Sequence, residues 1–188
     1  MNGGIICFET EWEITTRNKR RSLNTEPLLR FLEECYGIPY LYRRIATRGE
    51  LEYYLKKLCA KRYNKYGIIY FCTHGQTHGL ILEGEKEPLS LDELISIGGD
   101  VFKGRIVHFS SCRTLLGAQD AIDKFKNETG AKSVSGYARS VDTVLSAIHD
   151  IALFRACQEK VQIPAIFREL RDLHEGLQKK LAFKTHTY

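Results

Sequence analysis

The sequence predicts an α/β fold, with a doubly wound, mostly parallel sheet and helices on both faces. Three observations predict it. Apolar runs of strand length alternate with stretches of helical periodicity along most of the chain, which implies layered βα units with right-handed crossovers. Ile68 to Cys72 has the continuous apolar character of a central parallel strand covered on both faces, and Arg105 to Phe109 is a second apolar run that, like it, ends abruptly. A length of 188 residues with 43% hydrophobic content is enough for one sizeable core, so residues 1–188 are expected to form a single domain.

The elements follow in order. Gly4 to Phe8 is a short apolar strand. Asn24 to Tyr36 places Leu28, Leu29, Phe31, Leu32 and Cys35 at helical spacing, with Gly37 as the stop. Ile38 to Ala46 returns to aromatic and aliphatic strand residues. Thr47 and Glu50 form a capping box ahead of Leu51, Tyr54, Leu55 and Leu58, a helix that Gly67 is expected to end. After the strand at 68–72, residues His78 to Leu89 suggest a small hairpin. Ser90 and Glu93 form a second capping box, opening a short helix that Gly98-Gly99 closes. Ala118 to Thr129 is a helix stopped by Gly130, and Lys132 to Gly136 is expected to be the final strand. Val141, Val144, Leu145, Ile148 and Ala152 mark the apolar side of the next helix. Pro164 opens another, with Phe167, Leu170, Leu173, Leu177 and Leu181 on its apolar side.

Composition excludes several function classes. The N-terminus, from Met1 through Ile6 to Glu9, lacks the charged and apolar regions of a signal peptide, and no apolar run reaches the roughly 18 residues of a membrane span. A cytoplasmic protein without membrane contact is the expectation. Six cysteines at long spacings, with no CxxC pair, read as reduced thiols, most of them in the core. The net charge of +5, with clusters at Arg17 to Arg21, Arg43/Arg44 and Lys61/Arg62, reads as solvated surface. Nucleic acid is not an expected partner, because binding it would need a larger, aromatic-interleaved basic face.

In open parallel sheets, ligands bind beyond the carboxyl ends of the strands, so polar residues that follow apolar runs are the first candidates for function. Thr73-His74-Gly75 and Ser110-Ser111-Cys112 are two such sites, with His74 and Cys112 38 positions apart. That separation leaves room for a hairpin and one crossover helix, which makes the two strands plausible neighbours. A thiol becomes a nucleophile when an imidazole takes its proton or stabilises the thiolate, the role His74 would play for Cys112. Gly75 would let backbone approach a substrate, and the amides of Gly75 and Cys112 could donate to the oxyanion of a tetrahedral intermediate.

The segments IIYFCTHG and IVHFSSCRT, each a hydrophobic strand ending in His-Gly or in small-small-Cys, resemble the signature of caspase-like (clan CD) cysteine peptidases, especially their CHAT branch. GAKSVSGYARSVD, Gly130 to Asp142, is similar to the CHAT segment that leads into the next strand and an acidic residue, so the resemblance covers about residues 67 to 155. It implies a caspase-like three-layer α/β/α sandwich, a Cys112/His74 dyad, an oxyanion hole at Gly75 and Cys112, and cleavage of protein or peptide substrates without a cofactor. The chain is short for that branch and lacks a repeat domain, so regulation is expected from a partner protein. Caspases bind acidic residues through arginines, whereas many relatives bind basic residues over an acidic floor. Glu9, Glu11 and Asp142 are candidate acids for such a floor, with surface or capping roles as the alternative. Arg113 either holds the loop or reaches a substrate carbonyl.

Other chemistries fit less well. Cys72, His74, His78, His108 and Cys112 are possible zinc ligands by type, but their spacing matches no known zinc pattern, and no metal is expected. A cysteine phosphatase needs arginine six positions after the nucleophile, where this chain has Ala118. No phosphate-binding glycine motif is present. His108 reads as a satisfied core histidine, and His149, His174 and His186 carry no assignment. The remaining alternative is a catalytically inactive domain of the same fold that serves as an interaction or scaffold module.

Overall fold

A computed structural model describes residues 3–10, 24–117 and 119–186. In chain order, the first half contains β1 (Gly4–Thr10), α1 (Glu26–Tyr36), β2 (Tyr40–Ile45), α2 (Arg48–Lys57), β3 (Tyr66–Cys72), β4 (His74–Gln76), β5 (Gly79–Ile81), β6 (Leu89–Ser90) and α3 (Leu91–Gly98). The second half contains β7 (Ile106–Phe109), α4 (Gln119–Thr129), β8 (Ser133–Tyr137), α5 (Thr143–Glu159), α6 (Ile163–Leu181) and β9 (Phe183–Thr185). The main sheet has the order β2-β1-β3-β7-β8-β9; its first five strands are parallel and β9 is antiparallel.

Strand alternation divides the interior into two cores, and with them the fold into three layers. Ile6, Phe8, Ile69, Phe71, Val107 and Phe109 face one way and pack against Leu51 and Leu55 of α2, Leu94 of α3, and Ile122 and Phe125 of α4. Ile5, Cys7, Ile68, Tyr70, Cys72 and Ile106 face the other way, against Leu29 and Leu32 of α1, Leu153 and Phe154 of α5, and Ile166 and Leu170 of α6. The predicted α/β/α architecture with a mostly parallel sheet is therefore the one observed.

Local signals place most boundaries. Gly37 ends α1 in the left-handed conformation at φ 66°, as a residue without a Cβ does readily. Both capping boxes form, Thr47 with Glu50 on α2 and Ser90 with Glu93 on α3. Four expectations need correction. α2 stops at Lys57, ten residues before Gly67: Cys59 and Ala60 bond back only three residues, and extended Ala60 separates the helix from a 3-10 turn at Lys61–Tyr63; Gly67 lies inside β3. The hairpin expected from residue 78 begins at His74 and is a three-stranded antiparallel sheet of β4, β5 and β6. β8 is followed by a further strand, β9, so it is not the last. Cys35 and Cys59 are exposed, whereas Cys7, Cys72 and Cys157 are buried.

The largest correction concerns α5. Val144 and Ile148, expected to face the core, are 66% and 47% exposed, while Ser146, His149 and Asp150 are buried with Leu153 and Phe154. On α6, Leu170 and Leu181 are buried but Leu173 is 60% exposed; the helix kinks at His174, where φ is −136°.

The α2 cap yields a direct test. Thr47→Ala removes the hydroxyl that accepts from the Glu50 N–H at 3.2 Å and is expected to cost about 1 kcal/mol in urea unfolding.

Candidate active site

Parallel pairing of β3 with β7 puts Phe71 beside Phe109, and the Ser110 N–H continues the ladder to the Phe71 carbonyl at 2.8 Å. Beyond that point side chains take over. The Thr73 and Ser111 hydroxyls lie 3.0 Å apart, and the Thr73 N–H donates to Ser111 Oγ at 3.4 Å. His74 and Cys112 each follow one residue after this linked pair, and both line one cavity of about 300 Å³.

Gly75 sits directly against the cysteine turn. A Cβ at Gly75 would lie 2.3 Å from the Cys112 carbonyl oxygen and 2.5 Å from Thr114 Oγ1. The space freed by this glycine is filled by the cysteine turn rather than left open to a substrate. The His78 N–H donates to the Thr114 carbonyl at 3.1 Å and fastens the β4–β5 hairpin to the same turn.

The Cys112 sulfur sits beside a donor and a helix start. Its sulfur is half-buried and accepts the Val141 N–H at 3.5 Å, one residue ahead of the N-cap of α5. Donated N–H groups and the positive end of a helix both stabilise negative charge on sulfur. Arg113, the next residue, takes the left-handed backbone conformation at φ 60°, and its N–H donates to the Arg139 carbonyl at 3.1 Å. This turn carries the thiol around to the cavity. His74 is exposed at the cavity mouth.

The cavity occupies the switch point of the sheet, between the carboxyl ends of β1 and β3, where chain order reverses direction. Glu9 on β1 is fully buried and forms part of its wall. The Glu9 carboxylate accepts from the Thr25 N–H and hydroxyl, at 3.0 and 2.7 Å, and from the Tyr42 hydroxyl. Asp142 accepts the Val144 and Leu145 N–H groups at 2.9 and 3.0 Å as the N-cap of α5, and Arg113 is exposed; neither lines the cavity. Glu11, the Arg17 to Arg21 cluster and Ala118 lie outside the described residues. Among the described residues, no three His, Cys, Asp or Glu side chains converge as metal ligands.

Asp150, which the sequence reading missed, lines the base of the cavity and is wholly buried. One oxygen accepts from the Tyr137 hydroxyl at 2.5 Å and lies 2.7 Å from His108 Nε2. The other accepts from the hydroxyls of Tyr70 at 2.6 Å and Ser110 at 2.7 Å. Burial opposes ionisation, but the charge on His108 and the hydrogen bonds from His108, Tyr137 and Tyr70 outweigh it and hold the carboxyl below its usual range. Burial and the neighbouring Asp150 charge raise the phenols of Tyr70 and Tyr137. His108 is thus the satisfied core histidine that the sequence suggested, with Ser135 Oγ at 3.0 Å on its other nitrogen. The signal that could have revealed this network is the spacing Ser146, His149, Asp150, Leu153, a polar stripe that runs at helical period into an apolar one.

Two predictions follow from these buried groups. Asp150→Ala leaves three hydroxyls and an imidazole without their acceptor, and urea denaturation is expected to register a loss of about 3–5 kcal/mol. His149, whose ring lies 3.1 Å from the Tyr137 hydroxyl, is pushed down to about 4 by burial. Between its ordinary value and 4 the unfolded chain binds the proton and the folded chain does not, so stability falls as pH drops through that window. His149→Asn is expected to flatten that part of the pH profile; an unchanged slope would mean that His149 does not set it.

No curated protein is similar to this chain at a meaningful level. A family model does match, over residues 2–187, nearly the whole sequence. The chain belongs to DUF6642, a family of unknown function.

Proposed function

We propose that this protein is a cysteine peptidase of the caspase-like kind, with Cys112 as nucleophile and His74 as proton carrier. One observation carries the reading. The Thr73–Ser111 link sets His74 and Cys112 at matched positions, each one residue on, at the mouth of a single cavity at the switch point of the sheet.

The chemistry follows from those positions. The Cys112 thiolate adds to the peptide carbonyl carbon, and the charge that develops on oxygen meets backbone N–H groups at the cysteine turn. The C–N bond breaks as His74 gives its proton to the leaving amine, which leaves a thioester on Cys112. Water then loses a proton to His74 and attacks the thioester carbon, and the C–S bond breaks to restore the thiolate. A side chain flanking the scissile bond enters the cavity over Glu9 and Asp150. Protein or peptide substrates and a regulatory protein partner belong to this proposal on the caspase-like resemblance alone. Among the described residues, no helix is long and apolar enough to cross a membrane.

Hydrolysis of a fluorogenic peptide library tests the reading. Cys112→Ala and His74→Ala are each expected to lower turnover about a thousandfold or more. Both should stay folded, since His74 is exposed and Cys112 is only half-buried. Folded variants that cleave as well as the parent would refute the dyad.

A further inference from the structure

The positive charge of this chain is concentrated in one segment. Residues 40–66 carry eight Lys and Arg against two acids, Glu50 and Glu52, whereas the other 161 residues carry 20 basic and 21 acidic side chains. The whole of the +5 net charge therefore comes from this segment, which spans β2, α2 and the start of β3.

The fold gathers Arg43, Lys57 and Arg62 on the α2 side and interleaves them with aromatic rings, while Arg44, bonded to the Tyr42 hydroxyl, lies on the other face of β2. The Arg43 guanidinium carbon lies 5.6 Å from the centre of the Tyr54 ring, and Lys57 Nζ lies 4.2 Å from that of Tyr53. Arg62 repeats the pattern over Tyr63 at 4.9 Å, and Lys65 lies 5.4 Å from Tyr66, whose ring is buried and takes no part in the surface. Arg43, Tyr54, Lys57 and Tyr63 also ring a shallow depression floored by Phe8 and Leu41. Tyr53 is 54% exposed.

The cations on this face are available. Lys56 is neutralised by Glu52 at 2.6 Å and Arg48 by Glu93 at 2.5 Å. Among the described residues, Arg43, Lys57, Lys61, Arg62 and Lys65 form no ion pair with a carboxylate. The surface is also anchored from beneath. The buried Arg105 guanidinium donates to the carbonyls of Leu58 and Tyr63, both at 3.3 Å, and pins the turn that carries Lys61, Arg62 and Tyr63.

We propose that this β2–α2 face binds single-stranded nucleic acid. A purely acidic partner would use the cations and leave the flat rings idle. An unpaired strand uses both, because its bases stack on tyrosine while its phosphates meet the neighbouring lysines and arginines. The face packs on the α2 side of the sheet, opposite the α1 and α5 side that holds the Cys112 cavity, so the proposal does not depend on the peptidase reading.

Fluorescence anisotropy with a labelled oligouridylate tests it on the full chain, with heparin and anionic phosphatidylserine vesicles as competitors. Binding is expected at low salt, with log K falling against log salt at a slope of about −3 for four phosphate contacts. Tyr53→Ala is expected to weaken binding about 5- to 100-fold by removing one stacking platform. Arg43→Glu with Lys57→Glu, both exposed, should weaken it about tenfold or more, while Lys179→Glu with Lys180→Glu on α6 leaves it within about twofold. No binding at low salt would overturn the proposal. So would heparin or vesicles that compete as well as unlabelled oligouridylate, or a Tyr53→Ala variant that binds normally, since each reduces the face to unspecific attraction of anions. Peptide hydrolysis is unaffected by these variants under either outcome.

Discussion

A negative charge in the interior holds the carboxyl edge of the main sheet together. Asp150 reaches from α5 into the sheet and collects donors from three adjacent strands: Tyr70 on β3, His108 on β7 with Ser110 just beyond it, and Tyr137 on β8. A carboxylate without water is tolerable only when its lone pairs are filled, and here each oxygen has two partners. The same four contacts fix how α5 sits over the sheet, and α5 in turn brings the Val141 N–H to the Cys112 sulfur. Ser110, two residues before Cys112, is tied to the same carboxylate, so the turn that presents the thiol is anchored on both sides.

Above that base, side chains continue the sheet and assemble the candidate site. Thr73 and Ser111 extend the β3–β7 pairing past the last ladder hydrogen bond. Gly75 then packs so closely on the cysteine turn that a single added carbon would collide with the Cys112 carbonyl. His74 and Cys112 are therefore carried on two linked segments that cannot slide independently.

Much of this was legible in the sequence because the deciding forces are local or periodic. Ile68 to Cys72 reads as a central strand because both of its faces are covered, and the two capping boxes are complete within four residues each. His74, Gly75 and Cys112 stood out because they follow such strands. What stayed hidden depends on partners distant in sequence. The inner face of α5 is polar, and Ser146, His149 and Asp150 can be buried only because hydroxyls and an imidazole wait on other strands. The periodicity of the helix alone favoured Val144 and Ile148, which the structure leaves exposed. The Thr73–Ser111 link depends on strand register, and β9 is a three-residue antiparallel edge too short to show a period. The tyrosine–cation face was hidden for the same reason, since Arg43 and Tyr54 meet only after β2 and α2 pack together.

As a cysteine peptidase, the protein should form a thioester between Cys112 and the acyl part of its substrate, while the other accessible thiols should not. Mass spectrometry after brief exposure to activated peptide esters measures this directly, with exposed Cys35 and Cys59 as internal references. An acyl adduct is expected on the peptide containing Cys112, persisting longer in His74→Ala because deacylation loses its base. Acylation spread evenly over Cys35, Cys59 and Cys112, or absent from Cys112, would contradict it.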